Sequence, residues 1–156
     1  MLRNKSMVVG STGLVGKSVV NHLIKKDIEV LALVRNDEVS NNSLLNYYKI
    51  DFDDLQFPGE TFSDIKDIFI CLGTTIKKAG SKEAFQKVDI TYCYEIAKQA
   101  QARGVKNISI VTSLGSDSNS TNFYLKTKGM IEDQICLLYT SPSPRDQRGS
   151  RMPACG

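Results

Sequence analysis

The stretch that decides the fold is residues 5–16, which read KSMVVGSTGLVG. Three glycines stand three residues apart, at Gly10, Gly13 and Gly16, directly after the short apolar run of residues 7–9. A strand that ends in such a turn and opens a helix is suited to binding a pyrophosphate. The first glycine permits the tight turn, the second lets the backbone approach the phosphates, and the third lets helix and strand pack closely. The spacing therefore predicts dinucleotide binding, with a tight βα turn of some other α/β protein as the alternative.

The phosphate contacts predicted for this turn come from seven consecutive residues. The helix N-terminus offers free N–H groups and a positive dipole end, and the hydroxyls of Ser11 and Thr12 are able to donate to phosphate. The predicted set is Gly10, Ser11, Thr12, Gly13, Leu14, Val15 and Gly16.

Alternating strand and helix patterns continue along the chain from this turn. Strands are predicted at residues 5–9, 29–34, 47–50, 67–72 and 108–112, and helices at 14–26, 81–103 and from residue 122 onward. Residues 68–72 are an unbroken apolar run, which is typical of a strand covered on both faces by helices. This order predicts an α/β protein with a doubly wound parallel sheet, a Rossmann fold, in one domain over residues 1–135.

The residues from Cys136 onward differ from the rest in composition. They include three of the four prolines, and residues 136–146, CLLYTSPSPRD, resemble the translation of a transposase adapter used in sequencing libraries. We therefore predict that residues 136–156 are a non-native, disordered tail and that the domain of residues 1–135 is truncated at its C-terminal end. A native disordered tail rich in Pro, Ser and Arg is the alternative.

Charge and cysteine content narrow the class of protein. The whole chain carries a formal net charge of +3, and leaving out the tail's three arginines and one aspartate reduces it to +1. A net charge this close to zero gives no reason to expect a nucleic-acid or membrane partner. The domain keeps Cys71 and Cys93 in apolar patterns without a CxxC or Cys/His cluster. We therefore expect no metal site, no disulfide framework and a reduced, cytoplasmic setting.

The residue that follows the second predicted strand bears on the choice of nucleotide, since ligands bind beyond the carboxyl ends of such strands. Arg35 stands where an NAD-binding site usually has a carboxylate for the ribose 2′-hydroxyl, and a guanidinium suits a 2′-phosphate. This favours NADP(H) over NAD(H), with a solvated arginine near Asp37 and Glu38 as the alternative. Asp51, after the third strand, is either an acceptor for the adenine amino group or an ordinary loop carboxylate.

The ends of the fourth and fifth strands supply further cofactor-binding candidates. Leu72 ends the fourth strand and Gly73 and Thr74 follow it, at a place where a small residue lets the backbone lie close to a cofactor. Thr112 ends the fifth strand and Ser113 follows it.

Tyr124 and Lys128 lie four residues apart on the last predicted helix and so share one face. A neighbouring ammonium favours the ionised form of a phenol, which lets the tyrosine handle a proton near neutral pH. We predict that Ser113, Tyr124 and Lys128 are catalytic, with the serine holding the substrate oxygen, and that Tyr124 and Lys128 also contact the cofactor. Tyr94 and Lys98 have the same spacing but lie far from a strand end, so we interpret them as surface and packing residues.

Taken together, these residues resemble the atypical short-chain dehydrogenase/reductase family. The resemblance is carried by the glycine turn, by Arg35, by Ser113 and by residues 122–129, NFYLKTKG, which look most like the Tat-interacting-protein-like oxidoreductases and their bacterial relatives. It implies a Rossmann fold, NADP(H) binding, and a Ser–Tyr–Lys site that acts on a small carbonyl or alcohol substrate by hydride transfer.

Two other functions remain open on these residues. The resemblance extends to NADPH-binding proteins with no established substrate, so a non-catalytic regulatory or assembly protein is one alternative. A nucleotide-sugar epimerase or dehydratase, which uses the same three residues, is the other. The expected partner is a small-molecule substrate, and the sequence does not predict the oligomeric state.

Overall fold

The computed structural model describes residues 4–140, which fall into two compact units, one ending at Val111 and one beginning at Thr112. The first unit contains five strands, β1 (Lys5–Val9), β2 (Glu29–Val34), β3 (Leu45–Lys49), β4 (Ile65–Ile70) and β5 (Asn107–Ile110). Its helices are α1 (Leu14–Lys25), α2 (Ile76–Ala79), α3 (Lys82–Gln86) and α4 (Cys93–Ala102), with a 3-10 turn at Gly59–Phe62 and a π-helical turn at Lys87–Tyr92 between α3 and α4. The second unit contains α5 (Phe123–Thr140).

The five strands form one parallel sheet in the order β3-β2-β1-β4-β5. Met7 in the central strand β1 pairs with Leu31 of β2 on one side and with Ile68 of β4 on the other. The strand order reverses at β1, and in open α/β sheets ligands bind at such a reversal. The predicted doubly wound parallel sheet is therefore confirmed, and it is a Rossmann-like arrangement.

One face of the sheet is covered by α1. Val20 and Leu23 of this helix, three residues apart and so on one face, pack with Val8, Val30 and Ala32 of the sheet in one buried cluster. Side chains alternate along a strand, so the neighbouring positions point to the opposite face. That face is also buried, since no side chain in this set is more than 9% exposed: Met7, Val9, Leu31, Leu33, Ile68 and Ile70.

The segment predicted as one helix over residues 81–103 is instead three elements. Its ends agree with the prediction, because Ser81 Oγ accepts a hydrogen bond from the Ala84 N–H at 3.0 Å and Gly104 stops the helix at φ +82°. Between these ends the chain takes the π-helical turn, which the apolar spacing does not reveal. The short α2 was not predicted, although Thr75 caps its start and Gly80 ends it at φ +92°.

Three strand predictions differ from the structure by one or two residues at their ends, and among them β5 is residues 107–110 rather than 108–112. β3 begins at Leu45 rather than at residue 47, and β4 is residues 65–70 rather than 67–72. Cys71 and Leu72 continue the apolar run but lie beyond the strand, at the edge where ligands bind in sheets of this kind.

The helix α5 includes residues 136–140, which the sequence analysis assigns to a disordered tail. Residues 136–140 are therefore helical rather than disordered, and the prediction for residues 141–156 lies outside the described part of the chain. Within residues 4–140, no helix is both long enough and apolar enough to cross a bilayer, and no three metal-binding side chains converge.

The turn after β1 is held by contact between two backbones. Gly10 has φ +79°, and a Cβ placed on it would lie 2.6 Å from the Cys71 carbonyl oxygen, closer than carbon and oxygen can approach. Only glycine therefore allows the end of β1 to pack against the chain leaving β4.

We expect Gly10→Ala to destabilise the protein by about 2 kcal/mol more than Gly104→Ala. Both positions have φ near +80°, so both substitutions carry the same backbone strain, but a Cβ at Gly104 meets nothing within 4 Å. The difference between the unfolding free energies of the two variants, measured by urea denaturation, gives the cost of the overlap between the added Cβ and Cys71. Equal losses of unfolding free energy would show that this contact does not hold the turn.

Candidate functional site

A cavity of about 580 Å³ opens at the carboxyl ends of β1, β2 and β4. Seven residues predicted from the sequence to bind a cofactor line it together: Gly10, Thr12, Gly13, Arg35, Leu72, Gly73 and Thr74. The cavity therefore lies at the reversal of strand order, where the sequence analysis places the nucleotide.

The glycine turn leaves room for a ligand at one position only. At Gly16 an added Cβ would overlap the Gly10 carbonyl oxygen, so α1 packs directly on the turn and the chain itself requires glycine there. At Gly13 an added Cβ would meet only the Gly10 oxygen, at an ordinary contact distance of 3.5 Å. The fold therefore does not require glycine at residue 13, whereas a ligand lying against the backbone does. The turn fits a pyrophosphate.

The N-terminus of α1 supplies the electrostatics that an anion needs at this turn. Gly13 is the N-cap of α1 with φ −78° and ψ 172°, no side chain caps the helix, and its first turn contains no acidic residue. The N–H groups of the first turn have no partner within the helix and face the cap with the positive end of the dipole. Leu14 and Val15, which are 91% and 44% exposed, would act here through their backbone rather than their side chains.

Ser11, predicted as a hydroxyl donor to phosphate, is buried in this structure. It is only 5% exposed, its Oγ is buried without a hydrogen-bond partner among the described residues, and it does not line the cavity. The neighbouring Thr12 is exposed and does line it. The sequence did not distinguish these two hydroxyls, because both follow Gly10 directly in the turn.

Arg35 lies where the sequence predicts it, at the end of β2 on the cavity wall. Its guanidinium carbon is 5.3 Å from the centroid of the Phe52 ring, a cation–π geometry. It also lines a second cavity of about 400 Å³ together with Asp51, the predicted adenine contact, and Lys49. The nearby Asp37 has a carboxylate oxygen 2.7 Å from the Lys49 ammonium.

Several residues of the cavity wall were not identified from the sequence. Lys78 of α2 and Lys87 of the π-helical turn join Arg35 as cations on the wall of the larger cavity, against one carboxylate, that of Glu38. Tyr92 lines both cavities. Nothing in the spacing of these residues signals the site, because α2 and the π-helical turn that carry them were not predicted.

A single carboxylate joins the loop after β3 to the π-helical turn. Asp53 Oδ1 lies 2.5 Å from Lys87 Nζ and accepts a hydrogen bond from Tyr92 Oη at 2.6 Å. The hydrogen bond from Lys87, followed by that from Tyr92, lowers the pKa of the Asp53 carboxyl. The same contact raises the pKa of Lys87, so both groups keep their charges over a wider pH range.

The three residues predicted to be catalytic belong to the second unit, as does Thr112. Lys128 Nζ lies 5.7 Å from the centroid of the Tyr124 ring, so the predicted i, i+4 pair does share one face of α5. Lys128 is 5% exposed and Tyr124 is 38% exposed. Lys128 is therefore buried while part of Tyr124 is accessible to solvent.

Hydrogen bonds hold the loop that carries Ser113 at two points. Ser116 Oγ accepts a hydrogen bond from the Ser113 N–H at 3.2 Å and donates one to the Ser113 carbonyl oxygen at 2.6 Å. Further along, the Asp117 N–H donates to the Leu125 carbonyl oxygen of α5 at 3.2 Å. At Gly129 an added Cβ would overlap the Ser118 nitrogen, so the loop packs directly on α5 beside Lys128.

Comparison with known proteins agrees with this geometry. The family described as NAD(P)H-binding matches residues 10–135. Protein FMP52, mitochondrial, of the yeast Meyerozyma guilliermondii is 37% identical over 144 residues, covering 86% of this chain and 59% of the relative. Protein HTATIP2 of Rattus norvegicus is 31% identical over 142 residues, covering 86% of this chain and 57% of the relative. The chain thus spans less than two thirds of these relatives.

Solved structures share the fold at lower identity. MoeE5 in complex with UDP-glucose and NAD superimposes with a TM-score of 0.71 at 14% identity, over 88% of this chain and 50% of that one. A putative NAD-dependent epimerase/dehydratase from Bacillus halodurans gives 0.67 at 22% identity, over 84% of this chain and 64% of that one. From its glycine turn, its Rossmann-like sheet and these matches, the chain belongs to the NAD(P)H-binding family of atypical short-chain dehydrogenase/reductase proteins.

Proposed function

We propose that this protein is an NADP(H)-dependent oxidoreductase that transfers hydride to or from a small carbonyl or alcohol substrate. The observation that carries the proposal is the larger cavity, in which the open backbone at Gly13 stands with the cations Arg35 and Lys78. Such a wall suits a ligand with several phosphates, because each cation makes a charge-assisted contact with a phosphate oxygen.

The preference for NADP(H) over NAD(H) rests on Arg35. NAD-binding sites usually place a carboxylate after this strand to accept from the ribose 2′-hydroxyl, whereas a guanidinium is suited to a 2′-phosphate. Arg35 also lies over the Phe52 ring, which restricts its side chain without using its N–H donors. Asp51, on the second cavity, is in our proposal the acceptor for the adenine amino group.

In this proposal, residues of the second unit carry out the acid–base chemistry. When bound, NADP(H) supplies or accepts the hydride. Ser113 holds the substrate oxygen by a hydrogen bond, and Tyr124 gives a proton to that oxygen in reduction or removes it in oxidation. Lys128, whose ammonium lies near the Tyr124 ring, stabilises the phenolate that remains after the proton has left.

The cellular location and partners are also proposals. We propose a small-molecule substrate as the partner, rather than nucleic acid or membrane, and the cytoplasm as the location. The names of the FMP52 relatives give mitochondria, which makes that organelle the second candidate. Cell fractionation of the tagged protein separates the two.

We expect Gly13→Ala to weaken NADPH binding about tenfold or more while leaving the fold intact. The alanine Cβ has room beside the chain's own backbone but takes the space where a phosphate would lie. Isothermal titration with NADPH measures the affinity, and thermal unfolding of the same samples measures stability.

Gly59→Ala is the matched control for Gly13→Ala, since a Cβ there meets nothing within 4 Å and the residue is outside both cavities. Its affinity should equal that of the wild type. If Gly13→Ala binds NADPH as tightly as Gly59→Ala, the glycine turn is not the phosphate site.

We expect Tyr124→Phe to lower turnover about 100-fold or more and to change the NADPH dissociation constant less than about threefold. The substitution removes the proton-transferring hydroxyl and leaves the ring beside Lys128. Turnover is followed as NADPH consumption by the full-length protein with a panel of small aldehydes and ketones.

Tyr94→Phe in α4 is the control, because Tyr94 and Lys98 repeat the spacing on a helix of the first unit. It should keep wild-type turnover. NADPH binding without turnover of any carbonyl compound by the wild type would instead favour the non-catalytic NADP(H)-binding alternative.

A further inference from the structure

We propose that the ion pair between Asp53 and Lys87 tunes the discrimination between NADP(H) and NAD(H), because the paired side chains add no net charge beside Arg35. This inference rests on the proposed function and adds two specificity-determining residues to it. Neither was expected from the sequence, and neither belongs to the glycine turn or to the Ser–Tyr–Lys set.

The pair lies on the walls of the two cavities. Lys87 lines the larger cavity and Asp53 the smaller one, while Arg35 and Tyr92 line both. Because the Lys87 ammonium and the Asp53 carboxylate are 2.5 Å apart, the two charges cancel at this place. Arg35, which lines both cavities, then acts on a 2′-phosphate without a net charge from this pair beside it.

The π-helical turn is what allows Lys87 to reach the carboxylate alongside Tyr92. Residues five apart on an α-helix are turned about 140° from one another, so their side chains diverge. In a π-helical turn the hydrogen bonds join residues five apart, which brings such a pair close to alignment. Lys87 and Tyr92 are the first and last residues of the turn, and both contact Asp53 Oδ1.

A stack of side chains connects the pair to Arg35. The Arg35 guanidinium lies 5.3 Å from the Phe52 ring centroid, and that ring lies 5.6 Å from the ring of Tyr92, whose hydroxyl binds Asp53. Phe52 and Tyr92 are 6% and 7% exposed, so these rings are fixed in the core. Arg35 also contributes, after Lys87 and Tyr92, to lowering the pKa of Asp53, which places the arginine within electrostatic reach of the carboxylate.

This arrangement determines whether each substitution raises or lowers the ratio of NADPH to NADH affinity. A phosphate monoester carries about −1.5 to −2 charges near pH 7, while a ribose hydroxyl carries none. Removing the Asp53 charge leaves Lys87 as an added cation near the 2′ position, which favours NADPH over NADH. Removing the Lys87 charge leaves an added anion, which disfavours NADPH. The side chains of Asp53 and Lys87 are 63% and 53% exposed, so salt will reduce both effects.

The test is fluorescence titration of the full-length protein with NADPH and with NADH, in the wild type, Asp53→Asn, Lys87→Gln and the double variant. We expect Asp53→Asn to raise the ratio of NADPH to NADH affinity about fivefold and Lys87→Gln to lower it about fivefold. The double variant should return to within about twofold of the wild type, and both single effects should shrink in high salt. Because each ratio compares two ligands on one sample, partial loss of folded protein cancels.

Tyr92→Phe is the matched control. It removes a hydrogen bond to Asp53 but no charge, so the ratio should stay at its wild-type value if the effect is electrostatic. A ratio that moves equally in Tyr92→Phe and Asp53→Asn, or that moves in neither single charge variant, overturns the role of the ion pair. A wild type that binds neither nucleotide overturns the proposed function itself, and the two failures are therefore distinct.

Discussion

The close approach of two backbones at Gly10 is the constraint on which the rest of the first unit depends. The end of β1 touches the chain leaving β4 at Cys71, and α1 touches the same turn at Gly16. Since β1 and β4 flank the reversal of strand order, this packing fixes the start of α1 beside the place where the sheet opens. The N-terminus of the helix, which is suited to an anion, therefore lies at the ligand-binding edge of the sheet, because Gly10 and Gly16 have no Cβ to keep the backbones apart.

The elements of the fold were predictable where a strong apolar pattern is bounded by glycine or charge. The bounds of β1 and β2 agree with the sequence analysis, because polar residues or glycine interrupt both runs. The pattern fails for β4, whose apolar run continues past the strand through Cys71 and Leu72. It also fails at residues 87–92, because a π-helical turn inserts one extra residue without removing the apolar residues that predict a helix.

The candidate site was predictable to the extent that its residues are close in sequence. The glycine spacing identified Gly13, and the position after β2 identified Arg35; both line the cavity. Lys87 could not be found this way, because its partner Asp53 is 34 positions away and the turn that joins them is invisible to periodicity. Ser11 belongs to the motif but is buried and does not line the cavity, so its predicted contact with phosphate stays a prediction.

The two units carry separate parts of the proposed chemistry, and each relies on glycine in the same physical way. In the first unit Gly10 and Gly16 let backbones touch so that a helix end faces the cavity, while Arg35 and Lys78 supply positive charge. In the second unit, Gly129 lets the Ser113 loop lie on α5 beside Lys128. A side chain at any of these contacts would move a whole segment rather than one functional group. The positions of the acid–base and anion-binding groups therefore depend on residues that have no chemistry of their own.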